Sequence, residues 1–545
     1  MMTTRFQLLI GRCGSIFLLG LCAPACNHVP TVATGLSDIA TIEQQYADWL
    51  DATSAISTID SGLQAQFDGL DRNAWLARQR QAAAAFSSQS KSVAERASRL
   101  SGEDGRALER MTNTFADYGS TAPVGDCTRA GTDEDAATLR ADLYACFDSL
   151  AREIPFEGKS YTRVAVLQML GEIAEPARRE ALFRAMLPLW RAINGDDEAN
   201  SPYRRMLRAT VADAGFHSPI AQAAASIGVG IDQVEAWLIA ILEAWRDATA
   251  GAYVEPWDYR YVHAGSTREL SRCLTREQLL PVVQQWFADL GADPRQLGIL
   301  YDLEPRAGKA PLAYSDIARL GREVDGAWRS AISRISGNYQ QGGFGEADEL
   351  AHEHGHAITY VAVRTRPAFF FADILFDEAF ADVAAWSLST AAWQQRYLGC
   401  SANERDSWRA RMSIVMLDVA WGLFELRMLR DPDRDPNALW SDIAAQYLHV
   451  VPHPELSWWA VRAQLVDEPG YMINYGLGAV ITAEVRERAR AALGAWDAGN
   501  PGWYRWAGEQ YLRHGSSTPL PSRLRDSLGH ALSPQPLLRQ IAAVR

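Results

Sequence analysis

Between residues 349 and 360 the chain reads ELAHEHGHAITY, which places His352, Glu353, His354 and His356 in one short stretch of a sequence with ten histidines in all. The stretch reads as helix, and on a helix positions four apart share a face. His352 and His356 can therefore point at one atom. His354 projects elsewhere and is not expected to be a ligand. Glu353 stands beside the first histidine in an H-E-x-x-H arrangement, which puts a carboxylate next to a metal-polarised water. Zinc in a hydrolase wants three protein ligands and one open position, so a third donor has to follow.

Residues 371–390, FADILFDEAFADVAAWSLST, read as a second helix, with Asp373 available near its start. Glu378, 22 residues beyond His356, completes a set of two histidines and one glutamate. Asp382 lies one turn on, where it can accept the free ring N–H of a ligand histidine and fix its tautomer. Ile374, Leu375, Ala379 and Val383 supply apolar packing, so this pair of carboxylates belongs to a mostly buried helix rather than to a solvated face. The expectation is one zinc ion (Zn2+) per chain, held by His352, His356 and Glu378. Glu353 then acts as general base and acid on a water whose pKa the metal lowers.

The elements that must position these residues are mostly helical in pattern. DRNAWLARQRQAAAAF offers an N-cap at Asp71 and strong helix formers after it. VAERASRL, ALERMTNTFADY and ATLRADLYACF continue in kind, and DQVEAWLIAILEAWRDATAGAYV reads as one long helix from Asp232. The exception is 298–345, where short apolar runs and glycine clusters predict a small sheet just before the metal helix. A sheet edge beside a zinc site can hold an extended peptide by strand addition.

A chain of 545 residues would suggest about three domains by length alone. Its 48% hydrophobic and 22% charged residues are ordinary for a globular protein. A net charge of −13 argues against nucleic acid and anionic lipid as partners. Residues 1–26 carry Arg5 and Arg12 before the apolar run IFLLGLCAPAC and read as an export signal. Cleavage after Ala23-Pro24-Ala25 leaves Cys26 first, either as a plain N-terminus or as the lipid-bearing cysteine of a bacterial lipoprotein. Both readings imply an exported protein, in the periplasm or anchored at the outer membrane. A linker over 27–38 and a helical lobe over 39–250 follow. Of the body cysteines, Cys127 and Cys146 are the preferred disulfide, and Cys273 with Cys400 is the residual pairing.

Several segments resemble, in order, the thimet oligopeptidase and oligoendopeptidase F group of gluzincin-type zinc metallopeptidases. They are Pro256-Trp257-Asp258 with Tyr261, the Leu303-Glu304-Pro305-Arg306-Ala307-Gly308-Lys309-Ala310 turn, His352-Glu353-x-Gly355-His356, Phe376-Asp377-Glu378-Ala379, and Pro469-Gly470-Tyr471 with Tyr475. The tail GNPGWYRWAGEQYLRHGSSTPLPSRLRDSLG is similar to that group's closing helices. The resemblance implies a mainly α fold, a two-lobed helical ellipsoid around a deep channel, forming one composite unit with the catalytic region over 251–545. It also implies short peptides as substrates, and Tyr471 and Tyr475 as hydrogen-bond donors to the developing oxyanion. Aromatic core packing is the alternative role for either tyrosine.

Three features depart from that pattern. AVRTRPAFFFADIL replaces a longer Gly-rich interval, which makes the third-ligand segment similar to angiotensin-converting-type dipeptidases. Leu465 stands where the group has a histidine, and Gly478 where it has a last tyrosine. His449 and His453 lie farther upstream, and nothing in the sequence places them in the site. These departures keep a second reading open, a metal-binding lipoprotein that captures peptides with little hydrolysis. A third is a zinc hydrolase acting on another kind of bond.

Overall fold

Asp71 caps a helix as its position predicts. Its carboxylate accepts the Ala74 N–H at 2.8 Å, and the helix Arg72–Ala94 follows. The same logic sets the start of Ala136–Arg152, where Asp135 accepts from Thr138. The computed structural model describes residues 34–60, 62, 71–94, 100–119, 125–129, 135–214, 217–306, 309 and 312–545. Within them the fold is mainly α with a few small sheets. The residues read as an export signal, Cys26 among them, lie outside the described residues. A helix begins at Thr34, so the segment read as a linker over 27–38 turns helical before its end.

Two other boundaries differ from the sequence reading. The helix expected from Asp232 through Val254 is Ile231–Ala248. It ends where the Thr249 hydroxyl turns back to the Trp245 carbonyl, and the chain then leaves the helix to bridge Val254 with Val450. A short hairpin, Ile154–Phe156 with Lys159–Tyr161, has no counterpart in the sequence reading. It turns at Glu157-Gly158, both at positive φ.

The small sheet predicted over 298–345 is present as three strands. Ile332–Ser336 is central, parallel to Leu300–Asp302 and antiparallel to Tyr314–Arg319. Tyr314–Arg319 is therefore an edge strand. After the sheet, Gly342 and Gly343 take φ of 76° and 91°. A Cβ on Gly342 would sit 2.4 Å from the Arg276 amide nitrogen, so only glycine lets the chain turn there into the helix Phe344–Ala362. Glu346 folds back to accept the amides of Gln340, Gln341 and Gly342, which fixes the entry to that helix.

One hydrophobic core runs through residues from Leu139 to Val544. A second joins Ile39–Met111 side chains to Ile317, Leu320 and Val363–Phe370. The first helices are thus packed on the segments flanking the histidine motif. Both cysteine pairs are bonded, Cys127–Cys146 and Cys273–Cys400. The second closes 127 residues of chain, a separation that leaves no local signature in the sequence.

Candidate active site

The histidine helix Phe344–Ala362 crosses the helix Ile374–Ala385 at Gly355. A Cβ there would lie 2.4 Å from the Ala381 carbonyl oxygen, so the two backbones approach to a distance only glycine permits. The second helix starts at Asp373, whose side chain accepts the Leu375 amide. This crossing brings His352, His356 and Glu378 together.

The Nε2 atoms of His352 and His356 are 3.2 Å apart, and Glu378 Oε2 lies 3.6 and 3.8 Å from them. Tetrahedral ligands held at 2.0–2.2 Å from zinc stand about 3.3–3.6 Å from one another, so the spacing suits that ion. The ring orientations agree with it. His352 Nδ1 donates to Asp382 Oδ1 at 2.9 Å, and His356 Nδ1 faces Asp377 Oδ2 at 3.3 Å. With each Nδ1 facing a carboxylate, both Nε2 atoms and a carboxylate oxygen converge on one point. Such a point calls for a cation. Burial alone would lower the affinity of each histidine for a proton, but Asp382 beside His352 and Asp377 beside His356 outweigh it and raise both. The same field favours a metal ion.

Glu353 is buried, and its electrostatic neighbours are His352, His356 and Glu378. Burial holds its proton affinity above the ordinary carboxylate range, against the pull of the two histidines and a hydrogen bond from Ser315. The Ser315 hydroxyl lies 2.9 Å from Glu353 Oε2 and 2.7 Å from the Glu353 carbonyl, so the edge strand orients this carboxylate. Sequence reasoning missed Ser315. It also missed Asp377, although its place next to Glu378 on the same helix was a readable signal.

Tyr471 donates its hydroxyl to Glu378 Oε1 at 2.6 Å, leaving Oε2 toward the histidines. Tyr475 packs its ring 5.5 Å from that of Tyr471 and accepts a hydrogen bond from Gln464 at 3.3 Å. Tyr471 therefore touches one of the three donor residues, while Tyr475 lies behind it and feels Glu378 only through space. His354 is a satisfied core residue. Its Nδ1–H donates to the Leu350 carbonyl, Tyr301 donates to its Nε2, and burial pushes its pKa down to about 4. His449 donates to the Arg246 carbonyl, and His453 lies between Glu255 and Glu455. Both are engaged outside the cluster. Leu465 is fully buried, and Gly478 packs on Ala379 of the third-ligand helix.

The segment that presents Tyr471 is held from behind. Glu425, on the helix Glu404–Arg430, is completely buried, and its Oε2 accepts the Met472 amide at 2.8 Å. Burial pushes its pKa up to about 8, against hydrogen bonds from the Gly470 and Met472 amides, so it is largely neutral at pH 7. Glu425→Gln keeps a neutral acceptor and should stay near wild-type kcat. Glu425→Leu leaves buried amides unpaired at about 1–3 kcal/mol and should lower kcat with metal content unchanged. Equal kcat in the two variants would remove Glu425 as a positioning residue.

No family model matches the sequence, and no curated protein matches it. Solved structures do match in fold. PZ peptidase A with inhibitor 2 superposes with a TM-score of 0.59 at 15% identity, over 94% of this chain and 96% of that one. An oligoendopeptidase F gives 0.56 at 16% identity, over 94% and 96%. An M32 carboxypeptidase from Deinococcus radiodurans R1 gives 0.54 at 17% identity, over 93% and 97%. The chain thus has the helical peptidase fold of these structures along nearly its whole length.

Proposed function

We propose that the chain is a zinc-dependent oligopeptidase that hydrolyses short, unfolded peptides. The observation that carries this reading is the convergence of His352, His356 and Glu378 with the Glu353 carboxylate beside them, in a fold shared with peptidases. A zinc ion held by these three residues would supply a Lewis acid and a water of lowered pKa. Glu353, oriented by Ser315, takes the proton of the attacking water and returns it to the leaving amine. Tyr471 and Tyr475 are the hydroxyls nearest in kind to an oxyanion donor, and Tyr471 exchanges its bond to Glu378 for one to the substrate oxygen in that role. The edge strand Tyr314–Arg319 offers a backbone against which an extended peptide can pair.

A folded protein would have to pay its unfolding free energy, of order 5–15 kcal/mol, before its backbone could reach a buried carboxylate. That favours peptides as substrates. Two disulfides suit an oxidising compartment, the setting in which an exported protein, soluble or lipid-anchored through Cys26, would work. The reading is tested with internally quenched short peptides and a stably folded protein. Peptide cleavage should stop on chelation and return with zinc, while the folded protein persists. Binding without turnover would favour the peptide-capture reading. Absence of both would point to another class of substrate.

A further inference from the structure

The two helices that carry the metal donors are tied together twice. The first tie is the close contact of Gly355 with the Ala381 backbone. The second is Arg411, from the helix Glu404–Arg430. Its Nη2 donates to the Asp348 carboxylate on the histidine helix and, at 3.3 Å, to the Ala385 carbonyl at the end of the Glu378 helix. His352 lies between Asp348 and Gly355 in the chain, and Asp382 lies between Ala381 and Ala385. Two points of attachment fix the angle between two rods. The bond of His352 Nδ1 to Asp382 Oδ1 at 2.9 Å therefore falls inside the braced span.

That bond is the less protected of the two histidine–carboxylate contacts. The side chains of His352 and Asp382 are 23% and 30% exposed, against 9% and 10% for His356 and Asp377, so packing alone holds them less firmly. His352 also has a second carboxylate nearby. Asp348 stands one turn before it on the same face, and the two act on each other through space. Arg411 pairs with Asp348, and its charge acts on Asp382 as well. One guanidinium thus occupies the carboxylate that would compete for His352 and steadies the one that orients it. Resting on the zinc centre proposed above, we propose that Arg411 is a positioning residue of that centre, which fixes the crossing of the two donor helices and reserves the His352 imidazole for Asp382.

The test is zinc affinity, measured by competition with a chromophoric chelator, beside the melting temperature of the chelated protein. Loss of a group that orients a metal ligand typically costs 10–100-fold in affinity, so Arg411→Met should raise the zinc Kd about 10–100-fold. The visible spectrum of bound Co2+ should change in the same variant. Adding Asp348→Asn to Arg411→Met removes the competing charge and should recover part of the lost affinity, which a folding defect would not do. If Arg411→Met does not fold, Arg411→Lys takes its place. It keeps the cation without the guanidinium geometry, and the zinc Kd should still rise. An unchanged zinc Kd and cobalt spectrum, with only a lower melting temperature of the chelated protein, would make Arg411 a structural residue and overturn the proposal. No recovery in the double variant would overturn the competition of Asp348 for His352. Peptide cleavage enters none of these readouts, so a wild type that binds zinc without turnover would count against the peptidase reading alone. A wild type that binds no zinc would overturn both.

Discussion

Glu353→Gln should lower kcat on short peptides by about 10²–10⁴-fold and leave zinc content at the wild-type level. The substitution is isosteric, and the amide oxygen can still accept from the Ser315 hydroxyl that now lies 2.9 Å from Oε2. Glutamine cannot take a proton from water, so only the proton-transfer step is lost. KM should move little, because Glu353 is assigned no contact that differs between bound substrate and free enzyme. The measurement is steady-state kinetics on quenched peptides with metal analysis of the same samples. A variant that keeps wild-type kcat would mean that another group moves the proton, and Glu349, one turn earlier on the same helix, would be examined next.

The second large effect is expected from His356→Ala. It removes one Nε2 donor 3.2 Å from the other and leaves Asp377 facing an apolar methyl. Two donors cannot close a tetrahedral site against water, so zinc should dissociate during purification and peptide cleavage should fall to background. Stability gives an independent readout. A ligand present at 1,000 times its Kd stabilises the folded state by about 4 kcal/mol, so zinc should raise the melting temperature of the chelated wild type. It should not raise that of His356→Ala. A variant that keeps one zinc per chain and a zinc-dependent melting shift would show that the metal is held elsewhere.

How far these residues could be read without a structure depends on how local their geometry is. His352, His356, Glu378 and Asp382 were legible because each pair sits one helical turn apart, and helical spacing converts sequence into direction. The cap at Asp373 and the disulfide Cys127–Cys146 were legible for the same reason, since their partners lie close in the chain. Ser315 reaches Glu353 across 38 residues, and Glu425 reaches Met472 across 47. No periodicity encodes such contacts, which depend on how helices and strands pack. Arg163 meets the Val461 carbonyl across 298 residues, a contact equally invisible until the fold forms. Tyr471 stands between these cases. Its segment was recognisable, but the bond from its hydroxyl to the third ligand was not. That bond means Tyr471 also steadies Glu378.

The central claim is that one zinc ion is bound by two imidazoles and a carboxylate. X-ray absorption at the zinc edge of the purified, zinc-loaded protein addresses it most directly. The account predicts two imidazole nitrogens at about 2.0–2.1 Å, oxygen from Glu378 and water at about 2.0–2.2 Å, and a changed spectrum in Glu378→Ala. A sulfur shell near 2.3 Å, or a spectrum with no imidazole scattering, would contradict it.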